Sequence, residues 1–82
     1  MIQIDYIYSV NNEINVVFYS TTDLAINTVI KLSNKNFTIK RIDLTDTWAK
    51  YTASYVTDVV NIKASSLMAF KRKIDNTELE LA

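Results

Sequence analysis

The sequence predicts a mainly β, antiparallel fold in a single domain that spans residues 1–82. Two observations carry this prediction. Short segments of alternating apolar and polar residues recur before residue 45, which is the pattern of strands with one buried face. Residues 45–62 are rich in threonine, valine and aromatic residues, which are poor helix formers. A chain of 82 residues that is 49% hydrophobic has enough material for one packed core.

The first two segments predict a hairpin. One apolar face of the first strand is formed by Ile2, Ile4, Tyr6 and Tyr8. Asn11 and Asn12 then predict a turn, because asparagine tolerates the left-handed conformation. The second strand, residues 13–20, is apolar on both faces, since Val17 and Tyr19 alternate with Ile14, Val16 and Phe18. We expect a neighbouring layer or a partner to cover part of the second face.

A second hairpin is predicted in the middle of the chain. Residues 28–33 and 37–44 both alternate, and they flank the polar residues 34–36. This arrangement predicts two strands around a three-residue turn. Because the chain has no glycine, we expect Asn34 or Asn36 to take the left-handed position in that turn.

Residues 46–62 leave two folds open. A helix there would place Trp48, Tyr51, Tyr55, Val59 and Ile62 on one stripe, typical of an amphipathic helix. It would pack on a three- to four-stranded antiparallel sheet in an α+β fold. We favour the extended alternative, because alternation also continues from Tyr51 to Tyr55.

In the extended alternative, the residues around Tyr51 resemble a known structural motif. Leu44 ends a strand, residues 45–50 form a short polar crossing, and Tyr51 begins an alternating strand. This order resembles the tyrosine corner of immunoglobulin-like and fibronectin type III sandwiches over about a dozen residues. The resemblance implies a small sandwich-like, Greek-key arrangement. It also implies that Tyr51 is buried, with its hydroxyl bonded to the backbone a few residues upstream.

The C-terminal part of the chain is predicted to finish the domain with short elements. Residues 59–64 form a further short strand. Residues 66–74 form a short helix capped by Ser65 and Ser66, or alternatively a strand. Residues 77–82 are an acidic tail that frays or adds an edge strand.

The composition excludes many kinds of active site. The chain contains no glycine, proline, cysteine or histidine. Phosphate-binding loops need glycine, and zinc sites, thiol centres and histidine-dependent triads need cysteine or histidine. Catalytic carboxylates would have to converge in pairs, and nothing in the sequence pairs them. We therefore predict no enzymatic activity, no cofactor, no metal site and no small-molecule substrate.

With these active sites excluded, binding of a macromolecule is the class of function that remains. The net charge is zero, so no long-range field attracts nucleic acid or a membrane. Tyr19 and Trp48 are candidate anchors for a protein partner, because tyrosine and tryptophan offer large contact areas with a polar group. Lys71, Arg72 and Lys73 form one basic cluster, which could contact phosphates or a protein.

These observations predict a non-enzymatic protein-interaction or structural module, which binds a larger partner or forms a homo-oligomer. The alternative is a small nucleic-acid-binding domain that uses the C-terminal basic cluster. Abundant isoleucine, asparagine, lysine and tyrosine indicate AT-rich codons, which are common in low-GC bacteria and in their phages and plasmids, and a component encoded by a phage or another mobile element fits this composition. We accordingly expect a location in the cytoplasm or within a virus particle, and no association with a membrane.

Overall fold

The structure, a computed structural model, describes residues 2–58 and 62–82. These residues form six strands and one helix. In chain order they are β1 (Gln3–Val10), β2 (Glu13–Ser20), β3 (Val29–Leu32), β4 (Lys35–Leu44), β5 (Ala49–Val56), α1 (Ala64–Ile74) and β6 (Glu80–Leu81). Strands account for 51% of the described residues and the helix for 14%, which confirms the prediction of a mainly β fold with a short C-terminal helix.

The described strands belong to one antiparallel sheet, with the order β1-β2-β5-β4-β3-β6. A sandwich has two separately hydrogen-bonded sheets, so the arrangement implied by the tyrosine-corner resemblance is replaced here by a single sheet. The alternative helix near residues 46–62 is not formed, because Ala49–Val56 is strand β5 between β2 and β4. Its two tyrosines, Thr52 and Val56 are residue types that favour strands.

Two hairpin turns are built without glycine. Asn11 and Asn12 have φ values of 50° and 64°, and Ser33 and Asn34 have φ values of 51° and 66°. Two consecutive residues with positive φ form the turn whose twist matches that of paired strands. The turn at Asn11 is confirmed, and so is the left-handed Asn34. The second turn has two residues instead of the predicted three, because residue 35 already pairs with residue 32.

Ser33 offers a test of turn strain. A left-handed conformation costs an L-residue roughly 1–2 kcal/mol, and serine relieves this less well than asparagine does. We expect Ser33→Gly to raise the free energy of unfolding by about 0.5–1 kcal/mol, because glycine adopts positive φ without steric cost. Urea denaturation measures the change. Ser33→Ala keeps the Cβ atom, so an equal gain from alanine would contradict the explanation.

Strand β1 contains a bulge that changes which side chains face the core. Ile4 pairs with Phe18, but Tyr6 pairs with Val17, so Asp5 is an extra residue. Because side chains alternate with period two, one inserted residue moves all later side chains to the opposite face. Ile2 and Ile4 are buried as predicted. The assignment of Tyr6 and Tyr8 to that same face is wrong, since both are exposed.

Helix α1 and the sheet enclose the core. Phe37 is fully buried, and its ring lies 5.4 Å from that of Tyr55 and 5.8 Å from that of Phe70 on the helix. The helix begins two residues before the predicted start, and its N-cap, Lys63, makes no side-chain capping hydrogen bond. The predicted serine cap is therefore wrong. Of the strand predicted at residues 59–64, residues 59–61 lie outside the described residues, and Ala64 is helical.

The C-terminal segment closes the fold. The backbone N–H of Ile2 donates to the carbonyl of Thr77 at 2.9 Å, and Asn76 N–H donates to the carbonyl of Ile2 at 3.0 Å. Asp75 Oδ1 accepts from the N–H of Ile4 at 3.0 Å. Residues 80–81 then pair with β3. The tail thus adds an edge strand, one of the two predicted outcomes, and the C-terminal segment bonds both to the start of β1 and to β3.

The segment before Tyr51 is a hairpin turn and not a crossing. Leu44 pairs with Ala49, so residues 45–48 connect neighbouring strands of the same sheet. The burial of Tyr51 is confirmed. Its hydroxyl donates to the carbonyl of Thr22 and accepts from the N–H of Leu24, both at 3.1 Å. These partners lie in the loop before β3, so the prediction of a bond only a few residues upstream is wrong.

Candidate functional site

The outer face of the sheet is the face that points away from α1. At its centre, apolar and polar side chains are covered or hydrogen-bonded by other residues of the same chain. Val17 lies between Tyr6 of β1 and Thr52 of β5 in the pairing register and is buried. Beside it, Ser54 Oγ donates to Asn15 Oδ1 at 2.6 Å. The predicted cover of the second face of β2 therefore comes in part from neighbouring strands.

At one end of this face, Tyr19 and Trp48 form an aromatic pair. Their ring centroids are 6.4 Å apart and their planes meet at 73°, a favourable edge-to-face geometry. Trp48 is 46% exposed although it is one of the largest apolar side chains. The structure thus brings together two of the five residues that the sequence singled out for partner binding.

The pair borders a concave surface, which we call the Trp48 groove and define by Gln3, Tyr19, Thr45 and Trp48. These four residues line a depression of about 330 Å³. A second depression of about 330 Å³ shares Gln3, Tyr19 and Trp48 and extends toward Asn76. The groove combines aromatic rings with amide and hydroxyl groups, which suits an apolar side chain flanked by hydrogen-bonding groups.

Charges beside the groove compensate each other. Lys50 lies opposite Tyr19 in the register of β5 and β2. Its Nζ atom is 3.7 Å from Asp5 Oδ2, and both side chains are about one-third exposed. Such a pair adds little to stability, but it leaves no net charge at this border of the groove.

The three basic residues of α1 do not form one surface. Lys71, Arg72 and Lys73 are consecutive, so the helix directs them about 100° apart. Lys73 lines a different depression together with Glu78 and Glu80. All three lie in the last turn of the helix, where cations interact favourably with the helix dipole. None of them lines the Trp48 groove.

A second exposed apolar region lies on β1, where sequence reasoning did not expect it. Tyr6, Tyr8 and Val10 are exposed on the outer face, and the two tyrosine rings stack with centroids 5.7 Å apart. The signal that could have revealed them is the spacing from Ile4 to Ile7, because two core-facing isoleucines at an odd spacing in one strand require an extra residue.

Residues 2–58 and 62–82 contain no group of three or more acidic side chains arranged to hold a metal ion. In the same part of the chain, no helix is both long and apolar enough to cross a bilayer. Comparison with protein-family models, curated proteins and solved structures finds no match to this chain.

Proposed function

We propose that this protein is a non-enzymatic interaction module that binds a protein partner through the Trp48 groove. The observation that carries the proposal is the half-exposed tryptophan paired edge-to-face with Tyr19. Tryptophan and tyrosine are enriched among the few residues that supply most of the binding energy in protein interfaces. The groove beside them provides the concave shape that a partner side chain needs.

The backbone that carries Trp48 is held by hydrogen bonds within its own turn. Thr45 Oγ1 donates to the carbonyl of Trp48 at 2.7 Å and accepts from its N–H at 2.9 Å. Thr45 N–H also donates to the same carbonyl at 2.8 Å. Three hydrogen bonds across one turn lower the entropy that is lost on binding. This pre-organisation supports a binding role for the tryptophan.

The chemistry of the groove favours an uncharged partner surface. The pair of Lys50 and Asp5 neutralises one border, and the whole chain has no net charge. We infer a partner that inserts an apolar or aromatic side chain, with hydrogen-bonding groups near Gln3 and Thr45. A module of this kind would serve as a component of a phage or mobile-element assembly that attaches to a larger partner.

The alternative, nucleic-acid binding, receives less support from the geometry. Phosphate contacts need cations that follow a nucleic-acid backbone, whereas residues 71–73 are directed to different sides of α1 and one of them shares its depression with two glutamates. Titration with single-stranded and duplex oligonucleotides at two salt concentrations tests this alternative. Tight, salt-dependent binding of an oligonucleotide would favour nucleic-acid binding over protein binding through the Trp48 groove.

Trp48→Ala is the decisive variant for the proposed function. A partner is first captured on the wild-type protein from cells of the source organism, identified and purified, and its affinity is measured by calorimetry. We expect Trp48→Ala to weaken that affinity by about 30-fold or more, since central aromatic anchors contribute about 2 kcal/mol or more. Thermal unfolding checks that the variant is folded.

Leu44→Ala is the matched control for this experiment. Leu44 is also a large exposed apolar side chain beside the same turn, but it does not line the groove. We expect its replacement to leave the affinity within about twofold, because peripheral contacts are nearly neutral. Equal affinities for wild type and Trp48→Ala would refute binding through the groove.

A further inference from the structure

The edge of β1 that faces away from β2 is only partly covered. Residues 75–77 form hydrogen bonds with Ile2 and Ile4 at the start of the strand. Among the described residues, no backbone hydrogen bond reaches this edge beyond Ile4. We call residues 6–10 the β1 edge.

The turn determines which backbone groups of the β1 edge are available. A two-residue turn makes Val10 part of a hydrogen-bonded pair with β2, and such pairs alternate along antiparallel strands. The backbone groups of Tyr6 and Tyr8 therefore also point to β2. Those of Ile7 and Ser9 point away from the sheet, and they offer two N–H donors and two carbonyl acceptors to another strand.

Residues 6–10 of the β1 edge carry few of the features that normally prevent strands from pairing, although the bulge at Asp5 lies directly before them. The β1 edge contains no charged residue and no proline, and these are the usual protective residues on exposed edges. Its outer side chains are apolar, with Tyr6 49% and Val10 50% exposed. An exposed, uncharged edge rich in aromatic and β-branched residues is a template for a further strand.

We propose that two copies of this chain pair antiparallel through their β1 edges. In the register that fits the free backbone groups, Ile7 bonds with the partner's Ser9, and Tyr8 lies opposite the partner's Tyr8 at the twofold axis. The same register places Tyr6 beside the partner's Val10. Aromatic and β-branched side chains in such cross-strand positions stabilise sheets.

The electrostatics of this pairing are compatible with a second copy. Asp5 lies opposite the uncharged Asn11 of the partner subunit, so no like charges are brought together in this register. The net charge of zero adds no long-range repulsion between copies. The interface is independent of the Trp48 groove, because Gln3 and Val10 lie at opposite ends of β1.

Amide hydrogen exchange followed by NMR tests the pairing directly on the unmodified chain. We expect the amides of Ile7 and Ser9 to exchange quickly at low protein concentration and slowly at high concentration. The amides of Tyr6 and Tyr8 should be protected at both concentrations, because they bond to β2. Fast exchange of Ile7 and Ser9 at all concentrations, with a monomer in sedimentation equilibrium, would overturn the proposal.

A pair of lysine variants locates the interface. Val10→Lys should raise the dimer dissociation constant by about tenfold or more, because it removes the β-branched contact with the partner's Tyr6 and because lysine on a strand edge disfavours pairing. Val56→Lys is the control: Val56 is 70% exposed and aligns with Glu13 and Val10 across the sheet, but two strands inside the edge. Equal weakening by both variants would place the interface elsewhere and refute the β1 pairing. Trp48→Ala should leave the dimer intact. Failure of the groove proposal can therefore be distinguished from failure of the β1 pairing.

Discussion

Replacing Phe37 with alanine should lower the free energy of unfolding by about 3–5 kcal/mol, the usual cost of removing a buried aromatic ring. Phe37 is fully buried and contacts rings on both the sheet and the helix, Tyr55 and Phe70. A domain of this length has a total stability on the order of 4–12 kcal/mol. The loss is therefore a large fraction of the total stability, and the variant should unfold at a clearly lower urea concentration than the wild type. Urea denaturation followed by circular dichroism measures the loss.

Two controls separate the ring contacts from general effects of substitution. Phe37→Leu retains most of the volume, so we expect a smaller loss of about 1–2 kcal/mol. Leu44→Ala removes an apolar side chain that is 81% exposed, and its effect should stay within about 0.5 kcal/mol. A loss below about 1 kcal/mol for Phe37→Ala would show that the three-ring cluster does not hold α1 on the sheet.

Tyr51→Phe should lower the free energy of unfolding by about 1–3 kcal/mol. The hydroxyl is the hydrogen-bond acceptor for the N–H of Leu24 and the donor to the carbonyl of Thr22. Phenylalanine keeps the ring but leaves the Leu24 N–H without this acceptor in a buried position, which costs more than the bond itself contributes. Chemical denaturation of wild type and variant gives the difference.

Tyr6→Phe is the matched control, because Tyr6 is half-exposed and water can satisfy its neighbours. Its effect should stay within about 0.5 kcal/mol. Unchanged stability of Tyr51→Phe together with weaker partner binding would mean that Tyr51 is a contact residue and not a structural one.

Local patterns in the sequence were sufficient for most of the strands and for the turn at residues 11 and 12. Alternation identifies strands over short ranges, and the paired asparagines at 11 and 12 mark a hairpin because asparagine tolerates positive φ. The short helix near residues 66–74 also follows from a local apolar stripe. In each case the information lies within a few residues of the element that it specifies.

Features that depend on distant pairing could not be predicted in the same way. The odd spacing of Ile4 and Ile7 indicates an extra residue in β1, but only the two successive partners on β2 show that this residue is Asp5. The exposure of Trp48 follows from the pairing of Leu44 with Ala49 in one sheet. Tyr51 reaches backbone groups 27 and 29 residues away, so a motif of a dozen residues indicated its burial but not its partners.

The hydrogen bond between Asp75 and the N–H of Ile4 spans 71 residues, and this separation has a consequence for synthesis. A ribosome adds about 5–20 residues per second, so roughly 4–14 s pass between the appearance of Ile4 and that of Asp75. The N-terminal hairpin forms on a much shorter timescale, in microseconds. For several seconds of translation the N–H of Ile4 therefore lacks the acceptor that Asp75 later provides, and the start of β1 has no cover from the C-terminal segment.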